Sequence, residues 1–219
     1  IQNYNQGNWW VQDFSSMLPL AIDSDKKDLN ILDICAAPGG KSFQLLSNNI
    51  VILNDVSRKR ISRLRQNLSR LNFYPEIKNL NGLNFPENNK FDLVILDSPC
   101  SSIGTIRKNP EILFKSKKPD LKTLNKLQKD LLQKSSKLIK NRGKIIYMVC
   151  SFFKSETIEI IYNFLEENKN FSIEKYKPKK EFHNINNLIS SEGYFLTMPT
   201  KYKNYYIDGF FSVQLIKND

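Results

Sequence analysis

At 219 residues the chain is long enough to bury one substantial core, and 40% hydrophobic with 25% charged residues excludes an unfolded chain. Its 33 Lys and Arg against 22 Asp and Glu, a formal charge of +11, favour a polyanionic partner, although charge alone fits a Lys-rich globular surface as well. Three scattered cysteines, Cys35, Cys100 and Cys150, suggest neither a disulfide framework nor a zinc site, and no apolar run approaches the roughly 18 residues of a membrane span.

The expectation at this point is a single domain over residues 1–219 with a lead-in at 1–24, in a reducing cytoplasm, monomeric, without metal and without contact to membrane. The basic surplus is concentrated at 107–144, at Lys175 to Lys180 and at Lys201 to Lys203.

In chain order, short runs rich in Ile, Leu and Val predict buried parallel strands at 29–34, 50–53, 76–80, 92–96 and 144–149. Between them Ile61, Leu64, Leu68 and Leu71 recur at three- and four-residue steps, the mark of one apolar stripe on a helix. Leu121, Leu124, Leu127 and Leu131, following Pro119 and Asp120, predict a second helix, and Ile158, Ile161 and Leu165 a third. Residues 171–176 and 209–216 read as strands separated by a long polar connection, which predicts an antiparallel closing hairpin. The expected fold class is α/β, a mostly parallel Rossmann-like sheet closed by that hairpin.

The segment DICAAPGGKS, residues 33–42, ends the first predicted strand and is expected to open a helix. In an open α/β sheet such a turn lies at the carboxyl rim where ligands bind, and Gly39 and Gly40 would let backbone pass close to one. It is neither a phosphate loop nor a GxGxxG turn, and a tight strand-to-helix turn without a ligand would look the same. Asp55, following the second strand, is placed to accept hydrogen bonds from ribose hydroxyls, or else to cap a helix.

The fourth predicted strand ends in Asp97-Ser98-Pro99-Cys100 and the fifth in Val149-Cys150-Ser151, so adjacent strands would bring two thiols to the rim of the glycine turn. A lone buried cysteine is ordinarily packing, but two at neighbouring strand ends suit covalent catalysis. Carbon 5 of cytosine is a poor nucleophile, and a thiolate adding to carbon 6 would activate it, helped by an acid at ring nitrogen 3, for which Asp97 is placed. Methylation of an exocyclic amine, the other chemistry of an Asp-X-Pro-X strand end, would favour an aromatic residue where Cys100 stands.

Taken together, these residues resemble the RsmB/Sun/Fmu family of RNA cytosine-5 methyltransferases, related to the NOL/NOP/NSUN proteins. The resemblance runs from Trp9-Trp10-Val11-Gln12-Asp13 through CAAPGGK at 35–41, Asp55 with Arg60, DSPCSSIGTIRKNPEI at 97–112 and Val149-Cys150-Ser151 to Asp208-Gly209-Phe210-Phe211. It implies a class I methyltransferase sheet that binds S-adenosylmethionine with Cys35, Ala36, Ala37, Pro38, Gly39, Gly40, Lys41, Asp55, Arg60, Asn81 and Asp97. It further implies that Cys150 attacks, that Cys100 helps release the product, and that Arg107 and Lys108 lie on an RNA-facing loop.

The implied substrate is small-subunit (16S) ribosomal RNA, with transfer RNA as runner-up; an RNA-binding or assembly factor without catalysis is the rival reading. Three positions depart from the family pattern: Asn81 stands where an acidic residue is usual, Val149 where Thr is usual, and Ser98 where Ala is common. The upstream helical RNA-binding domain usual in the bacterial branch is expected to be absent from this sequence. Phe152, Phe153 and Tyr194 are candidates to stack on an unpaired base, with core packing the plainer role for the two phenylalanines. His183, the only histidine, is expected on the solvated surface.

Overall fold

The computed structural model describes residues 2–22, 27–114, 116 and 118–219, leaving out the side chains of 180, 181, 183 and 184. The expected exposure of the His183 side chain therefore lies outside the described residues.

Two short helices, α1 (Gln2–Asn5) and α2 (Phe14–Ala21), precede the sheet. The strands and helices then follow as β1 (Asn30–Asp33), β2 (Ile50–Asn54), α3 (Arg58–Arg70), β3 (Glu76–Lys78), β4 (Phe91–Asp97), α4 (Leu121–Leu138), β5 (Ile139–Val149), α5 (Ile158–Glu167) and β6 (Phe171–Glu174). Three short strands, β7 (Phe195–Thr197), β8 (Thr200–Tyr202) and β9 (Tyr205–Ile207), lead to the long β10 (Phe210–Lys217). The main sheet runs β3-β2-β1-β4-β5-β10-β6, with β7 also paired to β10. β1 pairs in parallel with β2 and β4, and β4 with β5, whereas β10 is antiparallel to β5 and β6. The strand order reverses beside β1, so the crevice for a ligand opens at the carboxyl ends of β1 and β4.

Alternation along the strands builds two cores. Ile31, Leu53, Ile95, Ile146 and Met148 pack with Leu18, Leu64 and Leu68 on one face, and Leu32, Val94, Leu96, Tyr147 and Val149 pack with Leu131, Leu132, Ile161 and Phe164 on the other. The helices begin where their caps say: Ser57 accepts from the Arg60 amide and Asp120 from that of Thr123.

Several elements differ from the sequence expectation. The glycine turn opens no helix; it leads only into a 3-10 turn, Ser42–Gln44, because the Ser42 hydroxyl is bound to Asp33 and Phe43 drops into the core. β5 starts at Ile139, directly behind α4, earlier than the apolar run at 144–149, because Ile139 pairs with Phe91 before a register shift. α5 buries Ile160, Ile161 and Phe164, a face rotated from the expected 158/161/165 stripe. The polar connection holds β7 and a separate β8–β9 hairpin, which its exposed, aromatic-rich sequence concealed.

Candidate active site

The rim at the ends of β1, β4 and β5 gathers the glycine turn, Asp97 and two cysteines. Lys41 Nζ lies 2.6 Å from Asp97 Oδ2 and 5.3 Å from the centre of the Phe210 ring. Burial opposes the Lys41 charge, but the Asp97 carboxylate outweighs it and holds the ammonium above the usual lysine range.

Cys100 Sγ and Cys150 Sγ are 3.3 Å apart, and Ser102 Oγ lies 3.6 Å from Cys150 Sγ. Their proton affinities diverge. The hydrogen bond from Cys100 lowers the Cys150 pKa against the opposing effects of burial and Asp97, with Ser102 and Lys41 adding to the lowering. Cys100 is pushed well above the ordinary thiol, first by that same hydrogen bond and then by burial. Of the two sulfurs, Cys150 thus gives up a proton more readily than Cys100. Burial also pushes the Cys35 thiol far up, so the third cysteine is an inert part of the turn.

The glycine turn is held by its surroundings. Gly39 has φ +110°, and a Cβ there would stand 2.2 Å from the Phe43 ring, which Trp10 in turn meets edge-on. Gly40 is not required in this way, because a Cβ on it would find only ordinary contact with Gln12 at 3.8 Å. Ala36 and Ala37 are buried, and Pro38 is exposed on the turn. Asp55 is fully buried: it accepts from the Ala37 amide (3.2 Å) and the Ser57 amide (2.8 Å) and pairs with Arg60 at 3.0 Å. The Arg60 side chain is half exposed. Asn81, exposed at the rim, uses its Oδ1 to cap a 3-10 turn by accepting from the Leu83 amide.

Arg107 and Lys108 are not free cations. Arg107 lies 3.0 Å from Asp208 Oδ1 and 3.4 Å from Asp13 Oδ2, while Lys108 contacts both carboxylates. Two cations and two acids close a charge-balanced clamp that binds the lead-in and the β10 entry to the 103–110 loop. The two residues expected on an RNA-facing loop thus have their charges met inside the chain, where Asp208 is buried and would otherwise be stranded. Phe152 and Phe153 stack edge-on with each other at 5.7 Å, and Tyr194 packs on Phe211 at 5.4 Å.

Sequence reasoning missed Glu156, which is completely buried and bound to the loops carrying both cysteines. Its one legible signal is Gln128, a polar residue at helical spacing within the apolar Leu124, Leu127, Leu131 stripe, whose amide reaches Glu156 Oε1 at 3.1 Å.

This strand order and rim define the Rossmann-like fold of class I S-adenosylmethionine-dependent methyltransferases. The crystal structure of NSun6 from Pyrococcus horikoshii with SFG superposes with TM-score 0.85 at 20% identity, covering 100% of this chain and 56% of that one. A ribosomal RNA small subunit methyltransferase B from Photorhabdus laumondii is 33% identical over 172 residues, 76% of this chain and 40% of the relative. That of Klebsiella pneumoniae is 32% identical over 224 residues, covering 99% of this chain and 48% of the relative. The chain thus spans less than half the length of these curated relatives. The family model described as 16S rRNA methyltransferase RsmB/F matches residues 19–216, and the chain belongs to that family.

Proposed function

We propose that this chain is the catalytic domain of a cytoplasmic, monomeric enzyme that methylates carbon 5 of cytosine in small-subunit ribosomal RNA from S-adenosylmethionine, through a covalent adduct between Cys150 and carbon 6. The observation that carries the reading is the sulfur pair, 3.3 Å apart beside the Lys41–Asp97 pair, with Cys150 the readier of the two to lose its proton.

The rim suits the cofactor's donor set. Lys41 and Arg60 offer cations to its carboxylate, Asp97 an acceptor to its ammonium, and Asp55, once Arg60 yields, an acceptor to its ribose. When bound, S-adenosylmethionine supplies a methyl group on a positively charged sulfur, an electrophile for carbon 5.

The chain's own residues prepare that carbon. The Cys150 thiolate gives its electron pair to carbon 6, and the electrons of the 5,6 double bond move onto the ring as nitrogen 3 accepts a hydrogen bond from the Lys41 ammonium that Asp97 holds. Once carbon 5 carries the methyl group, its remaining proton goes to a base. The electron pair left behind restores the double bond and expels the Cys150 sulfur, with Cys100 assisting release. A groove of about 400 Å³ lined by Ile106, Arg107, Leu113, Pro199, Lys201 and Tyr206 lies along the 103–110 loop, and the exposed Lys201 and Tyr206 there suit an unpaired RNA strand.

Incubation with methyl-labelled cofactor and unmodified small-subunit ribosomal RNA tests the reading. Transfer to cytosine carbon 5 is expected, Cys150→Ala abolishing it while cofactor binding persists, and Cys100→Ala accumulating an enzyme–RNA adduct. An adduct with the Cys150 variant and none with the Cys100 variant would exchange the roles. RNA binding without any transfer would favour the assembly factor.

A further inference from the structure

Among the described residues, one buried carboxyl group has no place in the chemistry above and yet touches both cysteine loops. Glu156 sits in a 3-10 turn after β5 with no exposed surface. Its Oε1 accepts from the Ser101 amide at 2.7 Å and from Gln128 Nε2 at 3.1 Å. Its Oε2 accepts from the Ser101 hydroxyl at 2.5 Å and from the Ser151 hydroxyl at 2.6 Å. Ser101 follows Cys100 and Ser151 follows Cys150, so a single side chain is bonded next to each sulfur. Gln128 also donates to the Pro99 carbonyl at 2.9 Å, and the Tyr147 hydroxyl to the Glu156 carbonyl at 2.8 Å, which anchors the tie to α4 and β5.

We infer that Glu156 is a positioning residue that holds the Cys100 and Cys150 loops in register, so that the two sulfurs meet at hydrogen-bond distance. The inference rests on the covalent reading of the pair. The physical case is that β4 and β5 end before the cysteines: beyond the ladder, backbone bonds from Ser98 to Met148 and from Gly104 to Cys150 join the loops, and Glu156 adds the side-chain bonds at the residue next to each sulfur. A buried carboxyl with four donors is a stiff restraint, and leaving such donors unpaired is costly. Ser102, the residue after Ser101, adopts φ 60° and presents its hydroxyl to Cys150, so displacement of Ser101 would withdraw that contact as well.

The test needs neither RNA nor turnover for its first readout. Alkylation of Cys150 by iodoacetamide is followed against pH, with Cys150→Ala as the blank; the groups facing this sulfur are Cys100, Ser102, Lys41 and Asp97. In Glu156→Ala the loosened pair should move the alkylation midpoint upward and slow alkylation at neutral pH about tenfold. The single-turnover methylation rate should fall at least tenfold, with cofactor affinity changed less than about threefold.

Glu156→Gln should rescue both readouts to within about threefold, because its oxygen can keep the Ser101 and Gln128 amides while its NH₂ meets two hydroxyls free to turn and accept. Wild-type alkylation and rate in Glu156→Ala would overturn the inference, as would a Gln variant that folds yet is as impaired as Ala. If Glu156→Ala does not fold, Ser101→Ala and Ser151→Ala each remove one bond; slowed alkylation in both supports the tie, and wild-type behaviour in both overturns it. Absence of methyl transfer by the wild-type protein, with the change in alkylation midpoint intact, would refute the covalent reading and leave the tie standing.

Discussion

Gly104→Ala probes the junction on which the site is built. The Gly104 amide donates to the Cys150 carbonyl at 3.0 Å, and its own carbonyl accepts from the Gly209 amide at 2.8 Å. A Cβ at this position would lie 2.0 Å from the Gly209 oxygen and 2.9 Å from the Cys150 oxygen, both backbone atoms that cannot rotate away. Gly104 is not among the residues with positive φ, so the substitution tests contact alone and not backbone strain. The three segments must part, and two hydrogen bonds at about 0.5–1.5 kcal/mol each are lost or weakened. With some penalty for groups stranded in a buried place, the expected cost is about 2–5 kcal/mol. At roughly 2–4 °C per kcal/mol for a chain of this size, the melting midpoint should fall by about 4–20 °C. Thermal unfolding followed by near-ultraviolet circular dichroism measures it, with Cys150 alkylation as a local reporter. A variant melting within about 1 °C of wild type would refute the packing of loop 103–106 between Cys150 and Gly209.

Asp33 carries a pH signature. Burial pushes its carboxyl up to about 7 despite the opposing hydrogen bond from Ser42. Between the unfolded value of about 4 and about 7 the folded state binds the extra proton, so stability should decline as pH rises through this window, by at most about 1.4 kcal/mol for each pH unit crossed. Asp33→Asn should flatten that slope, and denaturant titrations at pH 4.5 and 7.5 showing equal slopes for both proteins would refute it. The clamp at the lead-in makes a different prediction. Arg107→Ala with Lys108→Ala leaves the Asp208 side chain, 6% exposed, without a cation. The loss should be about 2–4 kcal/mol, under the roughly 3–5 typical of a fully buried pair because the two cations are partly exposed. A double variant with unchanged urea midpoint would show that the clamp contributes nothing.

The division between sequence and structure follows the range of the interactions. Strand and helix order was legible because burial on a sheet or helix face imposes a period on nearby residues, as the Ile61, Leu64, Leu68 stripe and the strand runs do. The ends of β4 and β5 placed Cys100 and Cys150 on one rim for the same reason, since pairing of neighbouring parallel strands is a local consequence of the fold. The glycine turn misled only on the helix, because Ser42 and Phe43 are committed to Asp33 and to the core, partners the turn's own sequence does not display.

Only the tertiary structure decided which charges are spent inside the chain. Arg107 meets Asp208 across 101 positions, and a basic run read in isolation cannot reveal a carboxylate that far away. It alone also tied Glu156 to Ser101 and Ser151, turning an inconspicuous acidic residue into the restraint between two loops. Contacts of this kind have no period along the chain. They are set by where folded segments come to rest, and in a buried space each polar group must then find whatever partner the packing brings.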